Sequence, residues 1–273
     1  EHYRSFVRIL SKNIYLYTEM ITCDSFLHTD RKNYTVKEEE KNLTIQLAGS
    51  DPKKYGQCAS IIEERGYDEI NLNIGCPSSK VVKGEFGACL MNDPDKVADC
   101  VYEIKKSCNL PVSIKTRLGL GYKENLDLLF NLISKTKASG CNKYIIHARN
   151  AILNGLSPKK NRKIPLLRYA DVTTVKNSFP ELEFYLNGGV EDISEIKKNI
   201  DKFDGLMIGR RIYDNPMFLN EIEEQIYGNE KVLSRKSILE KYLKYALSPL
   251  NKDTSNYLLL RHLFSLYYNT GSS

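Results

Sequence analysis

The hydrophobic and polar positions of this chain follow two alternating patterns. Short runs rich in β-branched or aromatic residues alternate with longer amphipathic stretches, and successive runs lie roughly 30 residues apart, the length of a βαβ unit. The predicted strands are Ile14 to Thr18, Leu43 to Leu47, Glu69 to Ile74, Pro111 to Thr116, Lys143 to His147, Leu182 to Leu186 and Gly205 to Ile208. Repeated βα units of this kind favour a parallel sheet.

Local chemistry marks several helices between these strands. Helices are predicted over Pro52 to Arg65 and Pro94 to Ser107, because an aspartate cap precedes a proline at the first helical position of each. An amphipathic helix is also predicted at the start of the chain, over Glu1 to Leu10.

The number of strands points to a particular architecture. Seven successive parallel strands are one fewer than the eight that close a barrel, and the eighth would precede Glu1. We therefore expect an α/β fold, a (β/α)8 TIM barrel whose first strand is missing from the given chain. Polar residues stand at the carboxyl end of nearly every run, the rim that carries active sites in such barrels. They are Glu19, Gln46, Asn73, Lys115, His147, Asn187 and Arg210.

The pattern changes after Gly228, where helical runs without strands follow. The segments Ile238 to Leu247 and Leu258 to Tyr268 have helical spacing. We therefore expect two domains, a barrel over residues 1–228 and a small, partial C-terminal α-helical domain over 229–273. This second segment contains seven Lys and Arg residues against three Asp and Glu residues, which favours an anionic partner.

Composition narrows the class of protein. The 273 residues are 41% hydrophobic and 27% charged, with a net charge of +6, which is typical of a globular protein. No apolar run approaches the ~20 residues of a membrane helix, and no signal peptide opens the chain, so we expect no membrane association. The seven cysteines include no C-x-x-C pair and no histidine at zinc-ligand spacing, so neither a disulfide scaffold nor a metal site is expected.

Glycines after the last two predicted strands indicate a phosphate site. Asn187 is followed by Gly188 and Gly189, and Gly209 precedes Arg210. Barrels commonly bind phosphate at this place, where glycine lets the backbone approach the anion and arginine adds a charged fork.

A flavin mononucleotide fits these features better than a Rossmann nicotinamide domain, because no G-x-G-x-x-G follows a strand. Its phosphate would lie at the glycines. Lys115 could reach the N1/O2 edge of the ring, where reduction develops negative charge, and Gln46 could hydrogen-bond the pyrimidine edge.

The segment from Asn71 to Met91, NLNIGCPSSKVVKGEFGACLM, resembles the tRNA-dihydrouridine synthases, specifically the DusA-type subfamily. Further matching motifs cover nearly the whole chain: YTEM, QLAGSDP, IKTRLG, HARNAILNGLSPKKNR, NGG and DGLMIGR. The resemblance implies an FMN-dependent, NADPH-driven reductase that converts uridine of the tRNA D-loop, at positions 20/20a, to 5,6-dihydrouridine.

The resemblance also assigns roles to residues. It implies that Cys89 is the proton donor, on a mobile loop. Flavin-binding positions match Gln46, Lys115, His147, Asn187, Gly188, Gly189, Gly209 and Arg210. Positions used toward the uridine or the tRNA match Asn73, Phe86, Arg149, Lys159, Arg162 and Arg261.

The residue chemistry agrees with this interpretation. Reduction of the uracil C5=C6 bond needs a hydride at C6 and a proton at C5 from the opposite face. Cysteine, with a reference pKa of about 8.5, is mostly protonated at neutral pH and can give that proton. Cys89 has small neighbours that permit close approach, whereas Cys76, before Pro77, is expected to be structural. His147 and Arg149 could donate to the uracil carbonyl groups.

Binding to tRNA would use the basic loop, which we define as residues 159–163 and which contains Lys159, Lys160, Arg162 and Lys163. Extrusion of a D-loop base costs a few kcal/mol of stacking, and phosphate contacts would offset that cost. We expect a monomer in the cytoplasm, with an organelle as the alternative location.

Two other functions stay open at the level of sequence. A small-molecule flavin oxidoreductase of the dihydroorotate or dihydropyrimidine dehydrogenase type would share the phosphate site and a cysteine acid, but would not need the basic loop. A non-catalytic RNA-binding module would need no redox chemistry, and the joint presence of Cys89, Lys115 and His147 argues against it.

Overall fold

A computed structural model describes residues 1–29, 34, 36 and 40–267. These residues form a single parallel sheet in which each strand pairs with the next strand in sequence. Its strands are β1 (Leu16–Thr22), β2 (Leu43–Ala48), β3 (Glu69–Ile74), β4 (Val112–Arg117), β5 (Lys143–His147), β6 (Glu183–Asn187) and β7 (Gly205–Met207). This curled sheet with sequential strand order and intervening helices confirms the predicted TIM-barrel fold.

Helix α1 (His2–Leu10) precedes β1, and the other helices follow the strands along the chain. They are α2 (Cys23–His28), α3 (Pro52–Glu64), α4 (Ser79–Lys83), α5 (Pro94–Ser107), α6 (Asp127–Ala138), α7 (Tyr169–Ser178), α8 (Ile193–Asn199), α9 (Arg210–Asp214), α10 (Phe218–Gln225), α11 (Arg235–Ala246) and α12 (Asn256–Leu260). Short 3₁₀ helices lie at Gly87–Asn92, Lys160–Arg162, Ile200–Lys202, Pro249–Asn251 and Leu263–Tyr267. The predicted aspartate caps of α3 and α5 are confirmed, because Asp51 and Asp93 accept backbone N–H groups of the first turns.

Strand β1 differs from its prediction, since it begins two residues later and extends to Thr22. A bulge between Tyr17 and Met20 interrupts its pairing with β2. There the Thr18 hydroxyl accepts the backbone N–H of Gln46 at 2.9 Å. The expectation that Glu19 ends its strand is therefore wrong: Glu19 lies within β1 and pairs with Arg4 of α1.

The two faces of the sheet have opposite chemistry. The outward side chains are apolar, are fully buried and pack against the helices; they include Ile45, Leu47, Ile70, Leu72, Ile114, Tyr144, Ile146, Phe184 and Leu186. The alternate residues point into the barrel and are largely polar, as Glu69, Asn71 and Asn73 of β3 illustrate. Polar groups are thus concentrated inside the barrel, below its carboxyl-terminal mouth.

The helices after the barrel share part of its core. The ring of Tyr242 in α11 meets Phe6 of α1 edge to face at 5.3 Å, and both side chains are fully buried. The Tyr242 hydroxyl donates to the carbonyl of Leu259 in α12 at 2.7 Å. The first predicted helical run corresponds to α11. The second is divided between α12 and a 3₁₀ helix, and Tyr268 lies outside the described residues.

Within the described ranges, every helix is too short or too polar to cross a membrane.

Candidate active site

Polar side chains from five strands, β2 to β6, meet at the mouth of the barrel. The parallel register places Asn73 beside Lys115 and His147 beside Asn187. The Lys115 ammonium donates to Asn187 Oδ1 at 2.8 Å. On the other side, Asn73 Nδ2 donates to Gln46 Oε1 at 2.9 Å. The structure thus brings together five of the seven residues that the sequence predicts for this rim.

The mouth is rich in positive charge. Burial, aided by the nearby Arg117 guanidinium, lowers the pKa of Lys115 to about 7. Burial also lowers the pKa of His147, and Arg117, Lys115, Arg149 and Arg210 lower it further, so this imidazole is neutral at physiological pH. Among the described residues, His147 Nδ1 is buried without a hydrogen-bond partner. The cation cluster fits an anionic ligand, and the unpartnered nitrogen of the His147 imidazole can hydrogen-bond a heteroaromatic ring.

Three glycines lie beside these cations, of which Gly209 is exposed and Gly188 and Gly189 are half-buried. Gly188 and Gly189 have φ angles of 99° and 79°, which glycine adopts without strain. A Cβ on Gly189 would lie 2.6 Å from the Tyr169 hydroxyl, which itself donates to the carbonyl of Gly188 at 2.6 Å. A Cβ on Gly209 would meet no atom within 4 Å, and Arg210 beside it is exposed. Gly209 therefore leaves room for a phosphate to approach the backbone, whereas Gly188 and Gly189 are required by their φ angles and by the neighbouring side chains.

Cys89 lies on the 3₁₀ helix that follows α4. Its half-buried thiol donates to the carbonyl of Phe86 at 3.0 Å. Burial raises the pKa of the Cys89 thiol, so the group is protonated at neutral pH. Phe86 itself packs partly buried against the core. A protonated, partly accessible thiol can act as a general acid.

The other partly accessible thiol, Cys76, is tied to the same region. Its backbone N–H donates to Asn73 Oδ1 at 3.0 Å, and its carbonyl accepts the N–H of Ala88 at 3.0 Å. The backbone of Cys76 thereby connects the end of β3 to the segment that carries Cys89. The assignment of Cys89 as the acid and of Cys76 as a structural residue stays a prediction.

The basic loop is held in place by a buried asparagine and carries exposed cations. Asn161 is fully buried, and its side chain exchanges two hydrogen bonds with the backbone of Ile152 at 2.8 and 2.9 Å. Lys159 and Lys160 are exposed, while Arg162 is half-buried. The loop therefore presents cations on a fixed backbone, as contacts with a phosphate chain require.

Arg117 was missed by the sequence analysis. Its buried guanidinium donates to the carbonyls of Gly75 at 3.2 Å, Asn150 at 3.3 Å and Asn161 at 3.1 Å. This side chain joins the loops that follow β3 and β5. Arg117 lies two residues after Lys115 on the same strand face, so the two-residue period of a strand could have identified it.

Of two further predicted uridine or tRNA residues, Arg149 lies near His147 and Arg261 lies in a separate pocket. Arg149 is half-buried and donates to the carbonyl of Pro165, next to the basic loop. Arg261 is exposed and lines a pocket of about 350 Å³ with Tyr213 and Phe264. That pocket borders α9, the helix that begins at Arg210. Within the described part of the chain, no three His, Cys, Asp or Glu side chains are grouped to hold a metal ion.

Comparison with known proteins gives a consistent result. The sequence profile of the family described as Dihydrouridine synthase (Dus) matches residues 1–272. The chain is 41% identical over 267 residues to a tRNA-dihydrouridine(20/20a) synthase of Shewanella oneidensis, covering 97% of this chain and 80% of that protein. It is 40% identical over 268 residues to a tRNA-dihydrouridine(20/20a) synthase of Escherichia coli K12, covering 97% and 78%.

Among solved structures, the chain is similar to histamine dehydrogenase from Rhizobium sp. 4-9. The TM-score is 0.56 at 12% sequence identity, over 84% of this chain and 43% of that one. This similarity supports the barrel fold alone.

Proposed function

Because the chain belongs to the dihydrouridine synthase family, we propose that it reduces the C5=C6 bond of uridine 20 or 20a in tRNA to 5,6-dihydrouridine. The observation that carries this proposal is the cation cluster at the mouth, where the buried Lys115 ammonium lies near His147 Nδ1, which is unpartnered among the described residues. The segment that carries Cys89 is joined to the end of β3 through the backbone of Cys76. Relatives that match nearly the whole chain are tRNA-dihydrouridine(20/20a) synthases. Membership of this family favours tRNA over a small-molecule substrate, and an enzyme over a non-catalytic RNA-binding module.

FMN is the cofactor that these residues fit. The open backbone at Gly209 together with Gly188, Gly189 and Arg210 would hold its phosphate. The Lys115 ammonium and the Gln46 amide would hold the polar edges of its ring, and His147 Nδ1 would gain a partner. A bound flavin supplies the hydride for C6 after reduction by NADPH.

Side chains around the uracil would donate the proton and hold the base. Cys89 would give the proton to C5, and solvent would then reprotonate its thiolate. Arg149 and Asn73 would donate to the uracil carbonyl groups and hold the base in place. Because the Cys89 thiol is protonated at neutral pH, it is ready for this role before the substrate binds.

Contacts with the rest of the tRNA would come from surfaces outside the mouth. Lys159 and Arg162 of the basic loop would bind phosphates, with Phe86 and Arg261 as further contacts. In this proposal, residues 1–228 form the catalytic barrel, and residues 229–273 belong to a basic helical domain that binds tRNA. We expect the protein to act as a monomer in the cytoplasm.

A flavin titration tests the cofactor site. The free protein holds Lys115 at a pKa of about 7, and an anionic ligand beside it would raise that pKa. Binding would then take up a proton, so FMN affinity should fall as pH rises above about 7, approaching tenfold per pH unit. Fluorescence titrations between about pH 7.5 and 9, where the phosphate is already dianionic, would measure this slope.

The matched variants for this titration are Lys115→Met and Lys53→Met. Lys115→Met should bind FMN more weakly and with little dependence on pH, whereas Lys53, exposed on α3, should be replaceable without effect. A native protein that binds FMN equally well across this pH range would contradict the role of Lys115. A native protein that binds no FMN would contradict the cofactor itself.

A further inference from the structure

A continuous row of hydrogen-bonded side chains runs through the interior of the barrel below the mouth. From the amino-terminal end of the sheet upward it contains Lys143, Glu69, Ser113, Asn71, Gln46 and Asn73. Lys143 Nζ and Ser113 Oγ each donate to the Glu69 carboxylate at 2.5 Å. The remaining links are 2.8 Å from Asn71 Nδ2 to Ser113 Oγ, 2.8 Å from Gln46 Nε2 to Asn71 Oδ1, and 2.9 Å from Asn73 Nδ2 to Gln46 Oε1.

The Glu69 carboxylate gives this row a direction. An ionised carboxylate only accepts hydrogen bonds, so the Ser113 hydroxyl must donate its proton downward. The Ser113 oxygen then accepts from the nitrogen of the Asn71 amide, which turns the Asn71 oxygen toward Gln46. Each amide in turn has its nitrogen on the side of Glu69 and its oxygen on the side of the mouth.

The upper end of the row requires the same direction independently. Asn73 Oδ1 accepts the backbone N–H groups of Gly75 at 3.2 Å and Cys76 at 3.0 Å. Backbone N–H groups can only donate, so the Asn73 oxygen must face them and its nitrogen must face Gln46. The oxygen and nitrogen of an amide have nearly the same shape, and here the two ends of the row together select one of the two orientations.

We propose that Glu69, Ser113 and Asn71 are positioning residues, which hold the Gln46 amide in place from below, opposite the Asn73 amide that the backbone N–H groups of Gly75 and Cys76 orient. This inference rests on the proposed function, because that function places Gln46 against the flavin and Asn73 against the uracil. Gln46 uses one N–H and one lone pair within the row, so it offers its other N–H and its other lone pair at fixed places. The pyrimidine edge of a flavin, an N–H flanked by two carbonyls, is a matching partner for such a pair.

The composition of the barrel interior supports a functional role. TIM-barrel interiors are mostly filled by branched apolar side chains. Here Asn71 and Ser113 are fully buried, and Glu69 is 5% exposed. Buried polar groups are costly unless every link is made, and a complete row rigidifies its members. Because this row ends at the amides of Gln46 and Asn73, its rigidity fixes the hydrogen-bond donors and acceptors that these amides present at the mouth.

Removing one hydroxyl tests the proposal. Ser113→Ala interrupts the row below Asn71, and we expect about tenfold weaker FMN binding with a shifted visible absorption spectrum of the bound flavin. Ser113→Thr keeps the hydroxyl on a residue that suits a strand, and it should recover affinity and spectrum. The control is Thr136→Val, which removes a buried hydrogen bond to Tyr144 between α6 and β5. It should lower thermal stability to a similar degree and leave FMN affinity within about twofold of native.

A second variant covers the case in which Ser113→Ala does not fold. Glu69→Gln has the same shape but removes the charge that holds the Lys143 ammonium and the Ser113 hydroxyl, so the lower end of the row is weakened and a loss of FMN affinity is again expected. Affinity equal to that of Thr136→Val in both variants, or no recovery in Ser113→Thr, would overturn the positioning role alone. A native protein that binds no FMN would instead overturn the proposed function together with this role.

Discussion

Replacement of Cys89 by alanine should slow the reduction of uridine by roughly 10²- to 10⁴-fold, the usual contribution of a placed general acid. Oxidation of NADPH by the bound FMN should continue largely unchanged. The sequence has no G-x-G-x-x-G after a strand, so NADPH and uridine would use the same flavin in turn, and only the uridine step needs a proton donor. The measurement is single-turnover reoxidation of pre-reduced protein mixed anaerobically with unmodified tRNA.

Cys76→Ala is the matched control, because Cys76 is the other half-buried thiol near the end of β3. Its backbone, rather than its sulfur, makes the contacts to Asn73 and Ala88. This variant should cost more stability than rate. A native rate of reoxidation in Cys89→Ala, or a selective loss in Cys76→Ala, would show that the acid is assigned to the wrong residue.

The double substitution of Lys159 and Arg162 by alanine should weaken tRNA binding roughly 10- to 100-fold at about 0.1 M salt. Each lost phosphate contact should reduce the slope of log affinity against log salt by about one. The buried Asn161 anchors the loop, so its backbone should persist and the flavin spectrum should stay unchanged. Binding titrations over a series of salt concentrations would measure both quantities.

A control for this experiment removes two exposed lysines from another face. Lys105 and Lys106 lie at the end of α5, which is the amino-terminal side of the barrel and opposite the mouth. Their replacement by alanine should change the salt slope little. If the slope of the Lys159 and Arg162 variant equals that of the native protein, the basic loop is a solvated surface.

The sequence predicts those elements whose signals are local. The caps Asp51 and Asp93 fix the starts of α3 and α5, because capping involves only residues within one helical turn. The end of β1 could not be predicted in this way. The bulge near Thr18 depends on a hydrogen bond to Gln46, a residue of the next strand. Among the strands of the described residues, β1 is the one that differs from its predicted bounds by several positions, and pairing between distant residues decides those bounds.

In the candidate site, too, local signals could be predicted from the sequence and contacts between distant residues could not. Lys115 and His147 stand where a polar residue follows a buried run, so alternation along the strand identifies them. Arg117 has the same face and was missed, because its partners are backbone carbonyls in loops far along the chain. Asn71 and Ser113 were also missed, because their proposed role depends on the hydrogen bonds that connect them to Gln46 inside the barrel. Residue types at strand ends indicate which chemistry is possible. The residues that hold those side chains in place can be identified only once the fold is known.

The central claim is that this protein makes dihydrouridine in tRNA, and the most direct measurement is a position-resolved map of the product. Purified protein would be incubated with FMN, NADPH and tRNA that lacks dihydrouridine, and the tRNA digested and analysed by mass spectrometry. Free orotate and free uracil would be offered in parallel reactions. We predict dihydrouridine at positions 20 or 20a, with neither free pyrimidine reduced. Unmodified tRNA after complete consumption of NADPH, or reduction of orotate in its place, would contradict the claim.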